Sequence, residues 1–366
     1  MKIFNKRTIA LIGAVAISAI AQPTAVFPIS VQVPSASVVA QTKAEDFLIQ
    51  GEEKYDKGDY QGAIAAYTQA IALNPNYAEA YNGRGLARYR SGDSKGAVAD
   101  LNEALRIDPN YAEAYTNRGN ARDELGDSQG ALADYNATLR INPSDAIAYY
   151  NRGITRSRLG DNKGAVADYT EALRIDPNLF QAYGNRGLAR YDLGDKQGAM
   201  GDFSEVLRIN PNDALAYYHR GNIRYVSGDN QGAVDDYNEA VRINPNWAEA
   251  YTYRGNARDD LGDRQGALAD YARALQINPN FAAAYLNRGV THSRLGDMQS
   301  AIADYTAALR IEPNLAGAYL RRGLARAKGG DKPGAMQDLQ KAADLFQQQG
   351  VKDNYQKAIN NLRKLQ

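Results

Sequence analysis

The chain has 366 residues, and its 43 lysines and arginines are balanced by 42 aspartates and glutamates. The resulting net charge of +1 provides no overall field that would hold nucleic acid or an anionic membrane surface. The lack of cysteine excludes disulfides and thiolate metal sites, and it is compatible with either a reducing or an oxidising compartment.

The first 21 residues have the pattern of a secretory signal peptide. A basic start, Lys2 to Arg7, precedes an apolar run, 8–21, that is too short to span a bilayer. This run ends on small residues, which predicts cleavage after Ala21. Cleavage after Ala40 and an uncleaved anchor are the alternatives. We therefore expect residues 1–21 to direct export of the protein.

The next segment, 22–43, is rich in proline, valine, serine and alanine and carries no charge before Lys43. This composition predicts a linker or an extended leader rather than a part of the folded array.

From Ala44 onward the chain repeats itself with a period of 34 residues. Eight prolines mark the period: Pro75, Pro109, Pro143, Pro177, Pro211, Pro245, Pro279 and Pro313. Gly-Asp pairs keep the same step, from Gly58-Asp59 to Gly330-Asp331. A fixed period of this length indicates units that cannot bury their apolar face alone and that stack on copies of themselves.

Each unit is predicted to be a helical hairpin, because apolar residues recur at helical spacing on both sides of its Gly-Asp pair. In the unit that begins at Ala146, we expect Gly160 to end the first helix in the left-handed conformation. Asp161 is then placed to cap the second helix by accepting its free backbone N–H groups. Pro177 separates this hairpin from the next one.

The residues at fixed positions of the unit resemble the tetratricopeptide repeat (TPR), and in one unit they are Tyr149, Gly153, Gly160, Ala165, Tyr169, Ala172 and Pro177. Nine units carry the resemblance: 44–77, 78–111, 112–145, 146–179, 180–213, 214–247, 248–281, 282–315 and 316–349. The resemblance implies an all-α fold, a right-handed TPR α-solenoid of nine hairpins. The polar segment 350–366 carries one apolar stripe and is predicted to be a C-terminal capping helix.

The array contains two matching blocks of four repeats. Asp123-Glu124 returns as Asp259-Asp260, displaced by 136 residues, so the block 78–213 corresponds to the block 214–349. The first repeat is atypical and is predicted to be the N-terminal cap.

In eight repeats an arginine stands where the family usually has leucine: Arg84, Arg118, Arg152, Arg186, Arg220, Arg254, Arg288 and Arg322. An aspartate follows each arginine by sixteen residues: Asp100, Asp134, Asp168, Asp202, Asp236, Asp270, Asp304 and Asp338. A buried guanidinium is costly unless it is paired, and the first repeat lacks both charges, so we predict structural ion pairs within the hairpins. The alternative, arginines that reach a bound anion, leaves the aspartates unexplained.

The resemblance places the first helix of each hairpin on the concave face, where two sets of asparagines recur: Asn117, Asn151, Asn185 and Asn287, and then Asn120, Asn222 and Asn256. An amide both donates and accepts hydrogen bonds, so such a row can grip the backbone of an extended peptide. The row is similar to the asparagine ladder in the TPR superhelix of O-linked N-acetylglucosamine transferase. The alternative is a solvated polar helix face. Tyr150 and Tyr218 are predicted to add an aromatic wall, with packing between repeats as an equal alternative.

The sequence favours a protein without catalytic activity, cofactor or metal, because it has two isolated histidines, His219 and His292, and no nucleophile elbow or phosphate loop. We expect a scaffold that binds a protein or peptide segment, with no nucleic-acid partner and membrane contact only through an uncleaved leader. The sequence does not predict an oligomeric state.

The alternative function is an exported assembly factor of the photosystem type that also binds or delivers a metal ion. It is suggested because the arginine-rich repeats and the leader resemble exported cyanobacterial TPR proteins. The predicted location is the periplasm, or the thylakoid lumen if the source is a cyanobacterium.

Overall fold

The computed structural model describes residues 36–366, and the predicted signal segment 1–21 lies outside this range. All regular structure in the described part is helical and has this order: α1 (Ala36–Asp56), α2 (Tyr60–Leu73), α3 (Ala78–Arg90), α4 (Ser94–Ile107), α5 (Ala112–Glu124), α6 (Ser128–Ile141), α7 (Ala146–Arg158), α8 (Asn162–Ile175), α9 (Phe180–Asp192), α10 (Lys196–Ile209), α11 (Ala214–Val226), α12 (Asn230–Ile243), α13 (Ala248–Asp260), α14 (Arg264–Ile277), α15 (Ala282–Arg294), α16 (Met298–Ile311), α17 (Ala316–Lys328), α18 (Lys332–Gln348) and α19 (Lys352–Leu365).

Consecutive helices pack as antiparallel hairpins, α1 with α2 through α17 with α18, and each hairpin packs on the next. The helix α19 packs on α18, where Ala358 and Leu362 join the apolar cluster of the last hairpin. The predicted all-α solenoid of nine hairpins with a C-terminal capping helix is confirmed.

The turn inside each hairpin follows from its Gly-Asp pair. Gly160 has φ +82°, a conformation that a side chain would strain, and it ends α7. Asp161 then caps α8, because its carboxylate accepts a hydrogen bond of 2.9 Å from the backbone N–H of Gly164.

The first helix begins upstream of the predicted repeat boundary. It starts at Ala36, so residues 36–43, which were expected to belong to a linker, are helical. No proline or glycine follows Pro34 before the repeat begins, and the chain therefore has no residue that would stop the helix there. Ala44 is fully buried.

Each hairpin is closed by a large side chain that packs on a glycine. Tyr169 of α8 is almost completely buried, and a Cβ atom added to Gly153 of α7 would lie only 2.7 Å from its ring. The glycine of the repeat thus lets the two helices approach closely, with the aromatic ring filling the gap between them.

The eight predicted arginine–aspartate partners lie together inside the hairpins. Nη2 of each arginine is 2.5 to 2.7 Å from Oδ1 of the aspartate sixteen residues later. The aspartates are buried, so these are desolvated, charge-assisted contacts between the two helices of one hairpin.

A second arginine joins most of these pairs, a feature that sequence reasoning missed. Arg156, four residues after Arg152, donates from Nη1 to Oδ2 of Asp168 at 2.9 Å. The equivalent residues are Arg88, Arg122, Arg190, Arg224, Arg258 and Arg326. In the eighth repeat His292 takes this position, and its Nε2 lies 3.8 Å from Asp304. The recurrence of an arginine four residues after the first was the available signal.

The first arginine also connects neighbouring repeats. Arg152 donates from Nη1 to Oδ1 of Asn136 in the preceding hairpin at 2.6 Å, and its guanidinium lies 5.3 Å from the centre of the Tyr149 ring. Similar acceptors sixteen residues before the arginine occur in six other repeats: Thr68, Asn102, Thr170, Ser204, Asn238 and Thr306. Ala272 stands at this position before Arg288, so that bond is missing in the eighth repeat.

The first helices form the inner side of the array. Each of them except α9 contacts the first helix of the next hairpin, whereas successive second helices make little or no such contact. The first helices α9 and α11 approach each other less closely than the other neighbouring pairs. The face lined by the first helices, from α3 to α17, is called the groove below.

Candidate functional site

The predicted asparagines lie on the groove, where three of them donate hydrogen bonds to polar groups of the preceding repeat. Nδ2 of Asn117 donates to Oδ1 of Asn82, and Nδ2 of Asn151 donates to Oδ1 of Asn120, both at 2.9 Å. Nδ2 of Asn185 donates to the hydroxyl of Tyr150 at 3.1 Å. Asn117 is only 9% exposed, so its amide serves packing between first helices more than it faces solvent.

The second asparagine set has a different environment, because a buried tyrosine of the same hairpin fixes each amide. The tyrosine hydroxyl donates to the asparagine Oδ1 in three repeats: Tyr135 to Asn120 at 2.9 Å, Tyr237 to Asn222 at 2.7 Å and Tyr271 to Asn256 at 2.8 Å. Within residues 36–366, the Nδ2 groups of Asn120 and Asn256 donate no hydrogen bond, whereas the side chain of Asn222 is also hydrogen-bonded to Tyr218. The amides of Asn120 and Asn256 are thus held by their oxygens with their N–H donors free.

Two polar pockets in the groove have matching linings, displaced by 136 residues. The first, of about 410 Å³, is lined by Tyr89, Asn120, Asp123, Glu124, Tyr135, Asn151 and Arg158. The second, of about 200 Å³, is lined by Tyr225, Asn256, Asp259, Asp260, Tyr271, Asn287 and Arg294. The duplication seen in the sequence therefore reproduces a whole pocket.

The charges in these pockets are largely paired within the protein. Nη1 of Arg158 is 2.9 Å from Oδ1 of Asp123, and Arg294 contacts Asp259 in the same way. The sequence analysis did not predict these two ion pairs. The signal for the pairing was an arginine 35 residues after each aspartate.

A tyrosine adds to the second pocket. The hydroxyl of Tyr225 donates to Oδ2 of Asp260 at 2.8 Å. Burial, together with this hydrogen bond and the negative charge of Asp260, raises the pKa of Tyr225 to about 12, so its hydroxyl remains a donor at neutral pH. Nearby, Oδ1 of Asp259 and Nε of Arg264 are buried without a hydrogen-bond partner and lie 3.8 Å apart.

An apolar cleft lies between the two polar pockets, where α9 and α11 contact each other least. It consists of two neighbouring cavities of about 160 and 250 Å³ that share Leu188, Phe203 and His219 as a common wall. The predicted Tyr150 lines the larger cavity. Tyr218 belongs to an aromatic cluster beside the cleft, with its ring centre 4.5 Å from Trp247 and 5.7 Å from Tyr253.

Both histidines make packing contacts. The ring of His219 stacks on Phe203 with centres 5.3 Å apart, and burial lowers its pKa. His292 lies inside the eighth hairpin beside Asp304.

Across residues 36–366, no three histidine, aspartate or glutamate side chains come together as metal ligands would, and none of the helices has the length and apolarity needed to cross a bilayer.

The chain matches family models along most of its array. A model described as "TPR repeat" matches residues 51–92, 87–126, 221–262 and 255–296. Models described as "Tetratricopeptide repeat" match residues 116–180, 180–213, 282–315 and 318–348. No curated protein matches the chain.

Several solved structures are similar to this one. A structure of Pseudomonas aeruginosa PilF is 19% identical with a TM-score of 0.51, and the match covers 59% of this chain and 97% of that one. A structure of MamA is 27% identical over 45% of this chain and 96% of its own, with a TM-score of 0.43. YrrB, described as a TPR protein with an unusual peptide-binding site, is 25% identical over 50% of this chain and 95% of its own, with a TM-score of 0.46. The likeness to PilF concerns the fold alone.

Proposed function

The chain belongs to the tetratricopeptide repeat family, and we propose that it is a non-enzymatic scaffold that binds an extended segment of a partner protein along its groove. TPR proteins generally bind peptides or proteins, and the groove of this chain carries amide N–H groups that are free to bind one.

The observation that carries the proposal is the orientation of Asn120 and Asn256. Each amide oxygen is occupied by a tyrosine hydroxyl, so the amide cannot rotate without losing that bond. Their N–H groups are therefore preorganised to donate to the carbonyl groups of an extended backbone, which reduces the entropy lost on binding. Because the two residues lie in matching pockets, a long segment would be held at two points.

The experiment uses the double change Asn120→Asp with Asn256→Asp. Aspartate keeps the oxygen that accepts from Tyr135 and Tyr271, but it removes the N–H donors. The probe is a fluorescein-labelled peptide selected on the intact protein from a randomised twelve-residue library displayed on phage. Two lost hydrogen bonds, each worth about 0.5 to 1.5 kcal/mol, predict binding weaker by about tenfold or more.

The control is Arg140→Ala with Arg174→Ala on the second helices, both exposed and outside the groove. It is expected to leave the affinity unchanged. If the control loses the peptide while the asparagine variant keeps it, recognition occurs on the outer surface and the proposal is wrong.

Export is a further proposal, supported by the basic and apolar pattern of residues 1–21. Fractionation of cells that produce the full chain tests it, with the protein expected outside the cytoplasm and shortened at its N-terminus. The cyanobacterial likeness rests on the same leader and on the arginines.

The metal-delivering alternative would need a ligand cluster, and none lies within residues 36–366. Titration of the protein with manganese or calcium tests this alternative.

A further inference from the structure

Resting on the proposed scaffold function, we infer that the cleft between α9 and α11 is the specificity site of the groove. It accepts two uncharged apolar side chains, at positions i and i+2 of an extended partner segment. The rest of the groove offers contacts to the backbone, whereas this cleft selects the sequence.

The cleft exists because the fifth repeat carries Gly184 and Phe203, which no other repeat has at the equivalent positions, together with Leu188. Gly184 stands where other repeats have Thr116, Tyr150, Tyr218, Thr252, Leu286 or Leu320, and a Cβ atom added there would meet only Val206, at 3.9 Å. Phe203 and Leu188 stand where the third, sixth and seventh repeats have the hydrogen-bonded tyrosine and asparagine. A polar contact is thus replaced by an apolar opening.

The rim of the cleft exposes large apolar side chains. Leu215 is 59% and Val226 is 49% exposed, and Leu188, Tyr191 and Tyr253 are exposed beside them. Single exposed apolar residues are common on protein surfaces, but a contiguous set around a cavity indicates a binding site.

The charge of the cleft selects the occupant. Its ionisable groups other than tyrosines are His219 and Asp213. Burial keeps His219 neutral at neutral pH by lowering its pKa, although the charge of Asp213 opposes this effect. Asp213 accepts a hydrogen bond of 2.9 Å from the backbone N–H of Ala216 and caps α11. With His219 neutral and Asp213 engaged in this cap, a charged side chain would lose its hydration without gaining an ion-pair partner, so uncharged side chains are favoured.

The size of the cleft sets the pattern of the segment. An apolar cavity of about 150 Å³ holds benzene, so cavities of about 160 and 250 Å³ each hold a side chain of leucine or phenylalanine size. In an extended chain, alternate side chains point to the same side at about 6.5 to 7 Å. Two cavities with a shared wall therefore fit an apolar-any-apolar pattern.

The experiment is the selection of the same randomised peptide library on the wild-type protein, followed by measurement of the affinity of the enriched peptides. We expect the enriched peptides to carry two uncharged apolar residues spaced by one. Gly184→Leu fills the larger cavity with the residue found at positions 286 and 320, so it fits the fold, and it should weaken binding at least tenfold. The matched control is Gly201→Ala on α10, an exposed glycine with no atom within 4 Å of its added Cβ, which should not change the affinity.

A second variant guards against an indirect effect of Gly184→Leu. Leu188→Asn with Phe203→Tyr recreates the polar pair of the third, sixth and seventh repeats and should cause a similar loss. The inference would be overturned if the enriched peptides lacked this spacing, or if both cleft variants bound the peptide as tightly as the wild-type protein. The scaffold function would stand in either case. Failure to enrich any peptide on the wild-type protein would instead contradict the scaffold function. If the protein alone self-associates in sedimentation and Gly184→Leu abolishes this, the occupant is a second copy and the partner proposal is wrong.

Discussion

The residues inside the hairpins recur from repeat to repeat, whereas residues of the groove vary. Inside the hairpins, the arginine and aspartate recur in eight repeats with contacts of 2.5 to 2.7 Å. In the groove, the residue equivalent to Gly184 is asparagine, threonine, tyrosine or leucine in the second to ninth repeats other than the fifth. The comparison teaches that the period preserves what stacks the repeats, and that departures from the period mark where the surface is specialised.

The eighth repeat lacks some of the interior contacts that recur in the others. In the eighth hairpin, Arg288 lacks the bond to the preceding repeat and its side chain is 25% exposed, against 12 to 17% for the seven equivalent arginines. His292 replaces the second arginine there and lies 3.8 Å from Asp304. The ion-pair interior is therefore weakest in this repeat.

The largest expected effect comes from Asp168→Ala, which leaves Arg152 and Arg156 without their shared carboxylate. Asp168 is only 2% exposed, and removal of one partner of a buried pair costs about 3 to 5 kcal/mol, less to the extent that Arg156 reaches water. Urea denaturation followed by circular dichroism measures the loss. A free energy of unfolding within about 0.5 kcal/mol of wild type would show that these pairs do not stabilise the hairpins.

A double change sharpens the same point. Arg152→Leu with Asp168→Ala returns the site to an apolar form typical of the family, and it removes the unpaired buried charge. It should recover part of the stability lost in Asp168→Ala, because apolar replacement of a buried ion pair is often neutral. Recovery is incomplete, since Asn136 and Arg156 each lose a partner. A double variant that melts no higher than the single one would contradict the pairing.

A smaller effect, of opposite sign, is expected in the eighth repeat. His292→Arg supplies the charge-assisted hydrogen bond to Asp304 that the equivalent arginines make, and it should stabilise the protein by about 1 kcal/mol. The same urea experiment measures the gain. His292→Gln, which adds no charge, is the control and should give no gain of this size.

The smallest effect concerns His219. Its pKa is lowered in the folded protein by burial, so below its ordinary value of about 6.5 the unfolded chain binds the proton more readily. The stability contributed by neutral His219 is present above pH about 6.5 and falls as the pH drops below that value. His219→Phe should remove this component, so the difference in melting temperature between the two proteins should change between pH 7.5 and 5. A constant difference would contradict the buried, neutral histidine.

Most of the fold could be predicted from the sequence, because the period, the glycine turns and the aspartate caps all act locally. The aspartate sixteen residues after each arginine was also visible as a recurrence. The second arginine and the bonds to Asn136 and its equivalents were missed, because they depend on how two hairpins stack. The start of α1 at Ala36 was missed because the composition of 22–43 is typical of a linker, although residues 36–43 contain no proline or glycine that would break a helix.

The groove was predicted less well. The asparagines are on the expected helices, but several of their side chains are hydrogen-bonded within the protein. Asn117 is bound to Asn82, and Asn120 is fixed by Tyr135. Such contacts depend on the distance between first helices, which the repeat pattern does not specify. For the same reason the cleft beside Gly184 could not be seen in the sequence, where a missing side chain looks like an ordinary substitution.

The most direct test of the central claim, that the interior stabilises and the groove recognises, is the affinity of two variants for one library-selected peptide. The measurement is made at a temperature where both proteins are fully folded. The account predicts that Arg152→Leu with Asp168→Ala binds within about twofold of wild type despite its lower stability, whereas Gly184→Leu stays stable and loses at least about tenfold in affinity. Loss of the peptide by the interior variant, with unchanged binding by Gly184→Leu, would contradict the account.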